Sequence, residues 1–126
     1  MSILLFAAIA VAGGLGAGMR MVLDGLIKSR TTGPTPWGTI IINVSGSLAL
    51  GFVTGLAAQA LLPESWHLVI GTGFLGGYTT FSTSSVETVR LLQERKWAIS
   101  LVNGLGTLIT ATAAAGLGLW FGGIAW

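Results

Sequence analysis

The chain has no cysteine, one histidine, three prolines and very little charge, for only 8% of its 126 residues are Asp, Glu, Lys or Arg. Each shortage excludes something. Without cysteine there is no disulfide framework, no thiolate nucleophile and no sulfur-ligated metal. The lone histidine, His67, sits at the edge of an apolar stretch with no nucleophile–acid constellation around it, so the chain is not read as an enzyme. The scarcity of charge is the most restrictive, since a soluble domain carries about 25% charged residues. With 52% hydrophobic residues and a mean hydropathy of +0.84, too little polar surface remains to face water. The net charge of +2 and pI near 9.7 do not point to nucleic acid. The six basic residues fall at the ends of apolar runs, where they act as membrane-topology signals.

What is present divides cleanly. Met1–Met19 is free of charge and is followed by Arg20, Asp24, Lys28 and Arg30. Pro34 and Pro36 mark a loop, and a second apolar stretch runs from Trp37 to the tight connection Pro63-Glu64-Ser65. Trp66–Val86 is the third stretch, closed by Glu87, Arg90, Glu94, Arg95 and Lys96, and Trp97–Trp126 is the fourth. A span needs about 20 apolar residues. The sequence therefore predicts an all-α membrane protein of one domain, 1–126, with spans near 3–22, 37–60, 66–90 and 97–122. Trp37, Trp66, Trp97 and Trp126 stand at predicted ends, where indole rings favour the interface. The first span lacks the basic leader of a secretory signal and is expected to be a retained helix. All Lys and Arg lie in the first and third connections, which predicts both termini outside.

Twenty glycines are tolerable in such helices because they allow backbones to approach closely. Gly14 with Gly18, Gly51 with Gly55, Gly73 with Gly77 and Gly118 with Gly122 have the spacing of helix-packing pairs. They predict tight assembly and carry no chemistry.

Polar groups at membrane depth are costly unless paired or solvated, so function is sought there. Thr39, Asn43 and Ser47 recur every fourth residue on one helical stripe, and Asn103, Thr107 and Thr110 share another face. Ser and Thr often bond back to their own helix, whereas the amide of Asn43 brings two N–H donors that need partners. A stripe of neutral donors with no acidic partner suits a desolvated anion. In the third span, Gly76-Gly77-Tyr78-Thr79-Thr80-Phe81-Ser82-Thr83-Ser84-Ser85 makes a poor uninterrupted helix, and a break is expected near 76–80. Non-helical backbone at that depth lines protein or a cavity and commonly binds ions. Beyond the break, Phe81, Ser84, Ser85 and Thr88 share a face, and the positive ring edge of Phe81 could meet an anion.

Over essentially its whole length the chain resembles the Fluc/CrcB fluoride channel family. The resemblance is carried by Gly13-Gly14-Leu15-Gly16-Ala17-Gly18-Met19-Arg20, by Trp37-Gly38-Thr39-Ile40-Ile41-Ile42-Asn43, and most specifically by Gly73-Phe74-Leu75-Gly76-Gly77-Tyr78-Thr79-Thr80-Phe81-Ser82-Thr83. It implies a four-helix subunit in a bacterial-type plasma membrane, pairing with an antiparallel copy of itself to enclose two narrow pores for passive fluoride export. It assigns pore roles to Asn43 and Phe81, and a donor track to Thr39, Thr107 and neighbouring hydroxyls, among which Ser82, Ser84 and Thr110 are candidates. The backbone carbonyls of Gly76 and Thr79 would hold a structural Na+ on the dimer axis, and Arg20 and Glu87 match further family positions. Two departures stand out: Ser84 occupies the place of a second Phe, and Ala111 that of a common pore hydroxyl.

Two rival readings follow from the residues. The one-sided charge suggests a fixed-orientation subunit pairing with an oppositely oriented paralogue. A small multidrug transporter would need a membrane-embedded carboxylate, typically in the first span, and Met1–Met19 has none.

Overall fold

A computed structural model describes residues 2–33, 35–79 and 88–124, with only the backbone of Ile124. Among the described residues there is no strand. Helix α1 spans Ile3–Arg30, α2 Trp37–Ala58, α3 residues 64–78, α4 residues 88–93 and α5 Trp97–Gly123. Of these, α1, α2 and α5 are long and apolar enough to cross a membrane. The expected third span falls on α3, residues 80–87 and α4. Residues 80–87 lie outside the described residues, so the far side of the expected break does too.

Local chemistry sets the ends. Ser2 caps α1 by accepting the Leu5 N–H at 3.1 Å. The helix continues past the expected boundary at residue 22 to Arg30, because nothing interrupts it before the extended Thr31. Lys28 pairs with Asp24 at 2.9 Å one turn apart, and Lys28 and Arg30 in the last turn suit the negative end of the helix dipole. Helix α2 begins at Trp37, right after Pro36, and stops at Ala58. It ends two residues early because Ala60 takes a left-handed φ of 57°. Helix α3 follows Pro63 and contains a stretch, Leu68–Leu75, of wide π-type turns in which Gly76 N–H reaches Gly71 O. It ends at Tyr78, and Thr79 is extended (φ −80°, ψ 156°).

The helices pack in two close pairs, α2 on α5 and α1 on α3, joined through α1 and α2. The apolar centre is small, built of Ile42, Leu75 and Tyr78 with Leu23, Ala49, Ile70 and Phe74 around it. Large side chains such as Leu4, Leu15, Leu105 and Ile109 face outward. That is the distribution for a lipid environment, where association depends on van der Waals contact between close backbones. Glycine supplies the contact. A Cβ at Gly51 would strike the Ala115 carbonyl, and one at Gly118 the Leu48 carbonyl. Gly55 and Gly122 repeat the arrangement against Leu119 and Phe52, so these two expected pairs face each other across α2 and α5. Gly77 likewise lies against Gly13 O, and Gly73 against Ile9 O. On α1, however, the close approach is made by Gly16, against Phe74 O, while Gly14 and Gly18 meet nothing within 4 Å. The expected pair is therefore offset: Ala12 and Gly16 are the buried residues of α1.

Trp37, Trp66 and Trp97 are all exposed at helix ends, where the sequence places interfacial indoles. His67 bridges the hairpin between α2 and α3. Its Nε2 lies 3.1 Å from Thr54 Oγ1 and its Nδ1 3.3 Å from Glu64 Oε1.

Candidate functional site

One cavity of about 260 Å³ collects the polar residues of three helices. Its wall is formed by Asn43, Ser47 and Leu50 of α2, by Thr79 at the end of α3, and by Gly104, Thr107, Leu108 and Ala111 of α5. Asn43 and Ser47 reach it together because they are one turn apart on the stripe read in the sequence. Thr79 reaches it because the chain leaves the helix there. Its N–H and Oγ1–H both bond back to Leu75 O, at 2.9 Å and 3.0 Å, which closes the last turn of α3. Gly46 allows this end to nest on α2, since a Cβ there would overlap the Thr79 methyl and crowd the Tyr78 ring. Tyr78 fixes the same junction. Its hydroxyl lies 3.0 Å from Ser45 Oγ, and Ser45 in turn donates to Ile42 O at 3.2 Å.

Among the described residues the cavity wall is polar without being charged: no described Asp, Glu, Lys, Arg or His lines it. Asn43 is only 9% exposed and Thr107 8%. The Thr107 hydroxyl has no hydrogen-bond partner among the described residues, although leaving such a group buried and unpaired costs about 1–3 kcal/mol. The Ser47 hydroxyl likewise makes no bond among the described residues. An amide and two uncommitted hydroxyls around a small space can donate to an anion that has shed its water. Being neutral, they do not hold it as a fixed cation would.

The other sequence candidates are distributed around this space. Thr39 is buried at 2% exposure one turn before Asn43 and is not part of the cavity wall. Thr110 is exposed, and its hydroxyl bonds back to Gly106 O at 2.7 Å. At 100° per residue it stands about 60° around α5 from Thr107, on the outer side. Gly76 is exposed in the last turn of α3, and Arg20 is half-buried on α1 with no ion pair among the described residues. Phe81, Ser82, Ser84 and Glu87 lie outside the described residues. The side chain of Thr79 was not foreseen as part of the wall, because its direction is set by the extended backbone and not by helical spacing. Ser47 was visible in the stripe.

A second polar cluster adjoins the cavity. Ser100 donates to Thr88 O at 2.9 Å, and Asn103 Nδ2 donates to Thr88 Oγ1 at 2.7 Å. The Asn103 carbonyl oxygen, buried like the rest of the residue, has no partner among the described residues.

The sequence model of the family described as CrcB-like protein, Camphor Resistance (CrcB), matches residues 7–119. The chain belongs to the CrcB family. Among CrcB relatives, a protein of Leifsonia xyli subsp. xyli named fluoride-specific ion channel FluC 1 is 54% identical over 125 residues, covering 99% of this chain and 91% of its own. A Cutibacterium acnes protein named fluoride-specific ion channel FluC 2 is 44% identical over 115 residues, 90% of this chain and 94% of its own. The FluC 2 protein of Mycobacterium tuberculosis strain H37Rv is 41% identical over 108 residues, 86% and 82% respectively. The family and the apolar helices together make this CrcB chain a multi-pass membrane protein. These relatives are named as channels and not as enzymes.

Proposed function

We propose that this chain is a fluoride-specific channel subunit that lets fluoride leave the cell down its gradient, across a bacterial-type plasma membrane, without an energy source. The observation that carries the reading is the cavity in which Asn43, Ser47 and Thr107 present donors from two neighbouring helices, with no charged side chain among its described lining residues. Fluoride is chosen over other small anions on the names of the relatives.

The conduction path runs past the Thr39–Asn43–Ser47 stripe and Thr107, with Phe81 and the hydroxyls of Ser82 and Ser84 continuing it beyond Thr79. Thr110 plays at most a peripheral part, given its outward position. The fourth crossing is completed by a broken third span, and two antiparallel copies enclose two pores. Carbonyls in the last turn of a helix have no following helical N–H to accept and sit at the negative end of its dipole. That of Gly76, in the last turn, and that of Thr79, on the extended backbone just beyond it, therefore suit a hard monovalent cation, and Na+ there would hold the two copies together. Arg20 and Glu87 act at the ends of the path.

The test is anion efflux from liposomes loaded with fluoride or chloride and carrying the purified chain. Rapid fluoride release with no matching chloride release is expected. A folded, membrane-inserted protein that releases neither would refute the homodimeric channel. The one-sided distribution of the six basic residues favours a second arrangement, pairing with an oppositely oriented paralogue. In that arrangement efflux appears only when both chains are reconstituted together.

A further inference from the structure

We propose that Asn103 is a positioning residue for the conduction path, acting through Thr88. The inference rests on the channel reading above. Three neighbouring residues of α5 hold that one threonine by three different groups. Ser100 takes its carbonyl oxygen at 2.9 Å, and Asn103 takes its hydroxyl oxygen at 2.7 Å. Gly104 leaves room for its methyl, which lies 3.3 Å from where a Cβ would stand. Ser100 and Asn103 are each 1% exposed, so the clamp is shielded from competing water. Thr88 begins α4 and is thereby fixed against α5.

The clamp and the cavity share one face of α5. Gly104 belongs to both, and Thr107, one turn beyond Asn103, carries the unpaired hydroxyl that faces the cavity. Within the same stretch, Val102–Gly106 is wound in π-type turns, a local departure common at functional sites. A residue serving only to fill this space would be apolar. Asn103 instead uses one N–H on Thr88 and leaves its own carbonyl oxygen buried without a donor among the described residues. That trade is understandable if the purpose of the amide is to set the place of Thr88, and with it the register of α4 against the wall that carries Thr107.

Fluoride efflux of Thr88→Val, Thr88→Ser, Asn103→Ala and the Thr88→Val/Asn103→Ala pair tests this, together with hydrogen exchange of residues 88–93 in the reconstituted protein. Valine keeps the shape of Thr88 and removes the acceptor, whereas serine keeps the acceptor. Thr88→Val and Asn103→Ala are each expected to slow efflux at least tenfold, the pair to be no slower than the worse single variant, and Thr88→Ser to stay within about threefold of the parent. Exchange in 88–93 should rise in the two impaired variants while α2 stays protected. Parent-like efflux of Thr88→Val, or losses that multiply in the pair, would overturn the proposal. If Asn103→Ala does not assemble, the valine–serine contrast at Thr88 decides. A parent protein that passes no fluoride refutes the channel reading alone, and unchanged exchange in Thr88→Val then refutes the clamp independently.

Discussion

Asn43→Asp is expected to cut fluoride efflux by about a thousandfold while leaving the protein folded. The two side chains have nearly the same size, so the buried packing around position 43, only 9% exposed in the parent, is largely kept. What changes is the electrostatics of the cavity wall. The NH2 group with its two N–H donors gives way to a second oxygen, and the resulting carboxylate repels an anion. Like charges about 4 Å apart at an effective dielectric near 20 cost about 4 kcal/mol, and each 1.36 kcal/mol is about tenfold in rate. Asn43→Ala removes the donors without adding charge and should be distinctly less damaging. The check is fluoride efflux of both variants beside the parent, with size-exclusion profiles to establish that each is assembled. Undiminished efflux in Asn43→Asp would remove Asn43 from the path. Equal losses in the two variants would mean that the charge is not what matters.

How far this site could be read from the sequence depends on what kind of regularity places each residue. Asn43 and Ser47 were legible because both lie within an uninterrupted α2 and helical spacing alone puts them on one stripe. Thr107 was legible from its four-residue step from Asn103, but Thr110 was grouped with it although its hydroxyl is spent on Gly106 O. A step of three residues is tolerable for a broad apolar face and too coarse for a narrow polar one. Thr79 escaped spacing arguments altogether, since its side chain is aimed by extended backbone after Tyr78. Thr88 and Ser100 were invisible as a pair because their contact joins two helices across a connection. The π-type turns at Leu68–Leu75 and Val102–Gly106 also shift which residues face inward, and no propensity scale signals them.

The glycines show the same limit in a different form. Between Ala12 and Gly18 every residue but Leu15 is Gly or Ala, so small-xxx-small spacing fits 12/16, 13/17 and 14/18 equally. The position of α3 selects Ala12 and Gly16, and that choice belongs to tertiary packing. On α2 and α5 the glycine pairs that the spacing picked out, Gly51 with Gly55 and Gly118 with Gly122, do meet.

That reciprocal contact yields the other large effect. Gly118→Ala should destabilise the protein by about 1–3 kcal/mol, the usual cost of overfilling a packed site. Two residues earlier on the same helix, Gly116→Ala should be neutral or stabilising. A methyl at Gly118 meets Leu48 O and Phe52 N, both backbone atoms of α2 that no rotamer change can move, whereas one at Gly116 meets nothing within 4 Å. Both exchanges gain about 1 kcal/mol of helix propensity, so propensity cannot account for a difference between them. Gly51→Ala strikes Ala115 O from the other side of the same seam. Once either methyl has pushed α2 and α5 apart the second is partly accommodated, so the Gly51→Ala/Gly118→Ala pair should lose less than the sum of its parts. Thermal midpoints in detergent for the four variants measure this. Efflux should fall with the Gly51→Ala and Gly118→Ala variants and not with Gly116→Ala, because the separated helices are the ones that bring Asn43 and Thr107 to a common cavity. Equal midpoints for Gly116→Ala and Gly118→Ala would show that the seam tolerates a methyl and that glycine is not what holds it closed.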